Sequence, residues 1–334
     1  MSYARAAAAI RAAKTITLTT HVGPDGDGIG SCLALAIGLR RLGKTVRLAA
    51  PSKLSPVYAF LPAFSRFRTV DEEAAAAKAP RSDLLLSCDC GDLPRLGACG
   101  KLRRGTLINL DHHATNDRFG DINLVDEAAA SSGVVVEALL RRLGVALDHD
   151  LAVCLYTTIV YDTGRFMHSN TTAAVLRWSA KLLDAGIDAA LINRKLTYTR
   201  TEAEIRAQSV AMARLVRDAD QPALAGIALD RATIEGAGDP DDWGDLVEIP
   251  RSIAGVEVSY VLKEKVLKDG TLVTRASLRA NPPFRIAPVA QAFGGGGHEQ
   301  AAGCTIPGGI AAALPRILPM LREACVPAKA KRRR

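Results

Sequence analysis

The sequence predicts an α/β protein: a mostly parallel sheet with helices on both faces, then a smaller mixed α/β domain. Three observations carry this expectation. Strand-like and helix-like runs alternate through the first half. Three polar motifs of that half, HVGPDGD, CDCGD and DHH, directly follow strand-like runs. Finally, a charged stretch without Gly or Pro, residues 191–218, separates this half from a region of alternating apolar runs.

In chain order, strands are expected at 16–20, 45–50, 84–88 and 106–110. Helices are expected at 31–42, 71–78, 132–143 and 151–161. The first 13 residues are rich in Ala and Arg and read as a short amphipathic opening helix rather than a transit peptide. The domains expected are therefore 1–190, a helical linker 191–218, a second domain 219–326 and a basic tail 327–334.

With 334 residues, 48% apolar and 23% charged, the chain has the make-up of a soluble globular protein of two domains. The formal charge is +8, but the tail carries five Lys and Arg residues, so the body is only mildly basic. Seven cysteines, an odd number, suit reduced thiols in the cytoplasm. No apolar run reaches the ~20 residues that span a bilayer, so no membrane partner is expected.

Four motifs carry the chemistry. His21, Asp25 and Asp27 form H-x-x-x-D-x-D, with Gly23, Pro24, Gly26 and Gly28 among them. These breakers predict a tight loop rather than a helix, aiming three side chains at one point. Asp89 lies in CDCGD after the strand-like LLLS. If that strand continued, Cys88 and Cys90 would face away from Asp89, as packing residues. Asp111, His112 and His113 follow the strand-like TLINL, with Asn116 close behind, and Asp162 closes the apolar run LAVCLYTTIVY. These positions supply five carboxylates and three imidazoles, enough for two divalent cations sharing a carboxylate. Two such cations about 3.5–4 Å apart polarise a phosphoryl group and activate water at neutral pH. In the second half, FGGGGHEQAAG reads as an anion-binding nest, with His298 and Arg279 as charged donors. Arg165 and the helix start Ser131, Ser132 and Gly133 are further phosphate candidates.

The ordered set HVGPDGDGIGS, CDCGD, DHH-x-x-N, YDTGRF, SLRAN and FGGGGHEQAAGC resembles the DHH phosphoesterase superfamily. Within it, the subfamily with a DHH-associated C-terminal domain matches best, in its oligoribonuclease (nanoRNase) and 3′-phosphoadenosine 5′-phosphate phosphatase group. The resemblance implies an active site in a cleft between two domains, with two Mn²⁺ ions, or Mg²⁺ or Co²⁺ in their place. His21, Asp25 and Asp89 would hold one ion; Asp27, Asp89, His112 and Asp162 would hold the other. His113 would contact the scissile phosphate, and Asp111 would orient His112. Gly294, Gly295, Gly296, Gly297, His298, Ser277 and Arg279 would hold the far phosphate or terminal nucleotide.

The function expected is hydrolysis of RNAs of two to five nucleotides to nucleoside monophosphates, with 3′-phosphoadenosine 5′-phosphate as a second substrate. The alternatives are a phosphodiesterase for linear or cyclic dinucleotides such as pApA and cyclic di-AMP, and a non-catalytic nucleic-acid-binding protein. The full set of metal ligands speaks against the last. A homodimer remains open.

Overall fold

The computed structural model describes residues 3–102, 104–199, 201–238, 243, 246–267 and 269–326, except for the side chains of 73 and 74. The basic tail 327–334 lies outside them. The chain divides into two compact units between residues 199 and 200.

The first unit holds six strands: β1 (Thr15–Thr19), β2 (Thr45–Ala50), β3 (Phe67–Thr69), β4 (Ser82–Cys88), β5 (Arg104–Asp111) and β6 (Ile122–Val125). They form one sheet in the order β3-β2-β1-β4-β5-β6, and every pair is parallel. The central strands are near-continuous apolar runs because both faces are covered. Helices Tyr3–Ala12, Gly26–Arg41, Ser132–Arg142 and His149–Asp162 supply the larger core, packing on Ile16, Leu18, Leu84, Leu86 and Ile108. A smaller cluster around Ala76, Leu85 and Leu107 covers the other face. Strand order reverses at the β1/β4 boundary, and there the carboxyl ends of parallel strands open a crevice.

The helix after β1 begins at Gly26, within the stretch expected to be a loop. Asp25 explains this start. Its carboxylate accepts from the N–H groups of Asp27 and Gly28, capping the helix. The glycines here allow close approach rather than an irregular loop. A Cβ on Gly28 would lie 2.1 Å from Thr20 Oγ1, and one on Gly30 would lie 2.7 Å from the Cys154 carbonyl oxygen. β3 and β6, not expected from the sequence, are only three and four residues long and sit at the sheet's two edges.

The second unit is a mixed sheet of β7 (Leu215–Arg217), β8 (Leu224–Leu229), β9 (Val258–Val266), β10 (Leu272–Ala280), β11 (Gly296–His298) and β12 (Ala301–Pro307). Its order is β11-β12-β10-β9-β8-β7, with β8 and β9 parallel and the other pairs antiparallel. One face packs on helices Ala287–Gln291 and Ile310–Ala324. The other packs on a cluster including Ala207, Ala211, Ile234 and Trp243.

The segment 191–218, expected as one helical linker, is divided. Helix Ala189–Thr197 belongs to the first unit, whereas helix Glu202–Met212 and β7 belong to the second. The second helix has its own start signal, a capping box in which Thr201 and Glu204 satisfy each other's backbone N–H groups. Among the described residues, no helix is long and apolar enough to cross a membrane.

Candidate metal centre

The three strand ends and one helix end converge as the motifs suggested. His21 follows β1, Asp25 and Asp27 open the next helix, and Asp89 follows β4. Asp111 ends β5, leading into His112 and His113, and Asp162 is the last residue of His149–Asp162. The result includes two triads of donor atoms, each within 4.8 Å of one another, His21, Asp25 and Asp89, and Asp27, His112 and Asp162; Asp89, Asp111 and His113 form a further such group. Asp89 faces both. Its Oδ2 lies 3.4 Å from His21 Nε2 and its Oδ1 lies 3.7 Å from His112 Nε2. Asp162 approaches His112 Nε2 to 2.8 Å.

Backbone groups fix this arrangement. His21 Nδ1 lies 3.0 Å from the Val22 carbonyl and His112 Nδ1 lies 3.2 Å from that of Ala129. A carbonyl only accepts, so the proton is assigned to Nδ1 and the Nε2 lone pair turns inward. Asp27 accepts from the Ser132 N–H at 2.6 Å, the Gly133 N–H at 3.1 Å and the Ser31 hydroxyl at 3.2 Å. Ser132 Oγ also donates to Asp89 at 3.3 Å, and Ser131 Oγ pairs with Thr158. The helix start 131–133, expected to face a phosphate, is therefore buried against the carboxylates and spends its donors on them. Sequence reading missed this role, although the Ser-Ser-Gly start just ahead of an apolar helix was its visible signal.

Two further expectations are corrected. Asp89 has φ +56°, in the left-handed region, so β4 stops at Cys88 and the in-out alternation does not continue through Asp89. Cys88 and Cys90 are buried nonetheless, and burial pushes the Cys90 thiol up to about 12, so both behave as packing residues. Asp111 orients His113, not His112. Its Oδ1 lies 2.8 Å from His113 Nδ1, and its Oδ2 accepts from Asn116 Nδ2 at 2.5 Å. His112 has the Ala129 carbonyl instead because the two adjacent rings diverge.

The electrostatics explain what the site lacks on its own. Burial raises Asp27 well above the usual carboxylate range, and the charges of Asp89 and Asp162 raise it further. Burial likewise raises Asp162, to about 6. Burial opposes charge on His21 and His112, but their carboxylate partners hold both well above 6.5. Burial also opposes charge on Asp89, yet His21, His113 and His112 hold it below the ordinary range. Four carboxylates around two inward imidazole nitrogens need added positive charge to stay ionised together. This oxygen and nitrogen donor set, without an available thiolate, fits divalent cations.

Arg165 is exposed in the turn after helix His149–Asp162, with its Nε donating to Thr197 Oγ1 at 2.9 Å. Ser277, Arg279 and His298 share one face of the second sheet, because Arg279 pairs in register with Ala301, and Ala301 with His298. The next row is Ser277, Gly303 and Gly296. The glycine loop is less open than a nest requires. Gly294 and Gly295 donate back to the carbonyls of Gln291 and Ala290. A Cβ on Gly295 would lie 2.1 Å from the Gly303 carbonyl oxygen, so this glycine permits close strand packing.

Comparison with known proteins agrees with this geometry. Residues 15–159 match the DHH family N-terminal domain, and residues 223–326 match the DHHA1 domain. The chain is 33% identical over 311 residues to a bifunctional oligoribonuclease and PAP phosphatase NrnA from Thermus thermophilus, covering 92% of this chain and 89% of that protein. It is 27% identical over 301 residues to the protein of the same name from Bacillus subtilis, covering 87% and 89%. In fold it resembles an exopolyphosphatase-related protein from Bacteroides fragilis, with a TM-score of 0.83 at 24% identity over 96% and 95% of the two chains. The two matched domains and the extent of these likenesses place the chain in the DHH family of phosphoesterases, with a DHHA1 domain as its second unit.

Proposed function

We propose that the chain is a divalent-cation-dependent phosphoesterase that degrades RNAs of two to five nucleotides to nucleoside monophosphates, and that it also dephosphorylates 3′-phosphoadenosine 5′-phosphate. The observation that carries this reading is the pair of donor triads joined by Asp89. Relatives along nearly the whole chain bear names of that activity.

In this reading His21, Asp25 and Asp89 hold one cation, and Asp27, Asp89, His112 and Asp162 hold the second. Mn²⁺ suits the mixed carboxylate and imidazole set. When bound, the cations supply Lewis acidity toward the phosphoryl oxygens and an activated water. The residues do the rest. Asp111 fixes the His113 ring through Nδ1 and, with Asp89, favours its doubly protonated form against burial, in which Nε2–H can donate to a phosphoryl oxygen. The N-terminus of Ser132–Arg142 keeps Asp27 aimed inward. Ser277, Arg279 and His298 take the far phosphate or terminal nucleotide. The seven unpaired, buried thiols suit a reducing, cytosolic compartment.

The test is a turnover panel with Mn²⁺: RNAs of 2 to 24 nucleotides, 3′-phosphoadenosine 5′-phosphate, linear and cyclic dinucleotides, and pyrophosphate. Dinucleotides to pentanucleotides should be cleaved at least about tenfold more efficiently than a 24-mer, the equivalent of one terminal contact of ~1.4 kcal/mol. Equal or better kcat/KM on the 24-mer would refute the short-substrate reading. Preference for cyclic di-AMP would move the chain to the dinucleotide class.

A further inference from the structure

The second sheet carries an unassigned cation on the face that holds Ser277 and Arg279. Side chains two apart on a strand share a face, so Arg275, Ser277 and Arg279 form a column along β10, with successive members about 7 Å apart. Arg275 and Ser277 are exposed and Arg279 is half-buried.

The two arginines differ in what they already hold. Arg279 Nε lies 3.3 Å from Glu248, and its Nη1 donates to the Leu278 carbonyl. The Arg275 side chain makes no hydrogen bond or ion pair among the described residues. Its cross-strand partners are Lys263 on β9 and Thr305 on β12. Like charges directly opposite one another disfavour strand pairing, so Arg275 beside Lys263 is a costly placement for a merely structural pair. Lys263 Nζ stands 6.0 Å from the centre of the Trp243 ring, further along the same face. The surface beside this column is low on the β11/β12 side, because Gly303 and Gly296 bring no side chains to the Ser277 row.

We propose that Arg275, with Thr305 and Ser277 beside it, is a second phosphate subsite for the backbone of RNAs longer than a dinucleotide. This rests on the short-RNA reading above and deepens it. Arg279 and His298 take one phosphate. Arg275, about 13 Å further along the strand, takes one that a dinucleotide does not reach. The guanidinium suits a phosphodiester because it donates two parallel N–H groups to two phosphate oxygens.

The test uses Mn²⁺-loaded protein and phosphorothioate-linked adenosine oligomers, which keep the backbone charge and resist hydrolysis. Binding of a fluorescent dimer and pentamer is followed by anisotropy at several salt concentrations, for wild type, Arg275→Ala and Arg275→Lys. Arg275→Ala should weaken the pentamer about tenfold and flatten the slope of log affinity against log salt by about 0.7, with the dimer changed less than twofold. Arg275→Lys should keep the wild-type slope. Unchanged pentamer binding by Arg275→Ala, an equal loss on the dimer, or wild-type protein that does not bind the pentamer would each overturn the subsite. Cleavage of ordinary RNA by wild type is scored separately. Tight pentamer binding without cleavage would sink the short-RNA reading but leave the subsite standing. Cleavage with an unaffected Arg275→Ala would do the reverse.

Discussion

The metal centre of the first unit and the glycine-loop face of the second differ in how their side chains are held. In the first unit, Asp27, Asp89, His21 and His112 are buried, and backbone N–H or carbonyl groups fix most of them. In the second, His298 and Ser277 are exposed, and Arg279 is partly committed to Glu248. The first arrangement is preorganised for charge and costs the chain strain and desolvation, as the left-handed Asp89 shows. In the proposed function the second is a surface that takes the far end of the substrate. Disrupting the first should therefore remove chemistry, and disrupting the second should weaken recognition.

The largest effect is expected for Asp89→Ala. Removing the carboxylate that belongs to one triad and faces the other should bring turnover to background in a folded protein, as measured by kinetics beside circular dichroism. Near-normal Mn²⁺-supported turnover would dissolve the contrast between the two regions.

His298→Ala should lower kcat/KM on a dinucleotide by about 10- to 150-fold while leaving metal content unchanged, since a hydrogen bond to a charged group contributes ~1.5–3 kcal/mol. Arg279→Ala should cost less than His298→Ala, because part of its guanidinium already serves Glu248. Bis-p-nitrophenyl phosphate, which offers no distal phosphate, should be nearly indifferent to both. Loss of metal from His298→Ala would place that residue with the first region instead.

Gly133→Ala sharpens the comparison from the other side. An added Cβ would lie 2.0 Å from Thr158 Oγ1, so the helix start must shift and draw two N–H donors away from Asp27. Supporting groups of this kind typically contribute 10- to 100-fold to metal affinity, so Mn²⁺ titration calorimetry should show a loss of about that size. An unchanged affinity would mean that Asp27 does not depend on this helix.

A further effect follows from protonation. His21 and His112 are raised by their carboxylate partners against the opposing effect of burial, and burial raises Asp162 to about 6. Each group must lose its proton to ligate a cation, so bound metal displaces protons and affinity must rise with pH. The expected change is about tenfold per pH unit for each proton displaced, read from Mn²⁺ binding at pH 6, 7 and 8. A flat profile would show that these groups are not the ligands.

Much of this was legible because apolar periodicity marks buried parallel strands, and each motif sits where a strand runs out. The β2 boundaries and the ligand positions after β1, β4 and β5 follow from that pattern. What escaped depends on contacts distant in sequence. β3 and β6 are too short to show a period. Gly26 and Gly28 look like helix breakers until the Asp25 cap and the neighbouring Tyr161 and Thr20 side chains are in place. The Ser-Ser-Gly start marks a helix N-terminus, but its partner Asp27 lies more than 100 residues earlier. Similarly, only the divergence of two adjacent rings decides which histidine Asp111 holds.

The central claim is that one carboxylate, Asp89, joins two cation sites in the first unit. Electron paramagnetic resonance of the Mn²⁺-loaded protein, with metal content measured on the same sample, tests it most directly. The account predicts two Mn²⁺ per chain with the spin–spin interaction of ions about 3.5–4 Å apart, and loss of that interaction in Asp89→Ala. A single ion per chain, or two ions without mutual interaction in the wild-type protein, would contradict it.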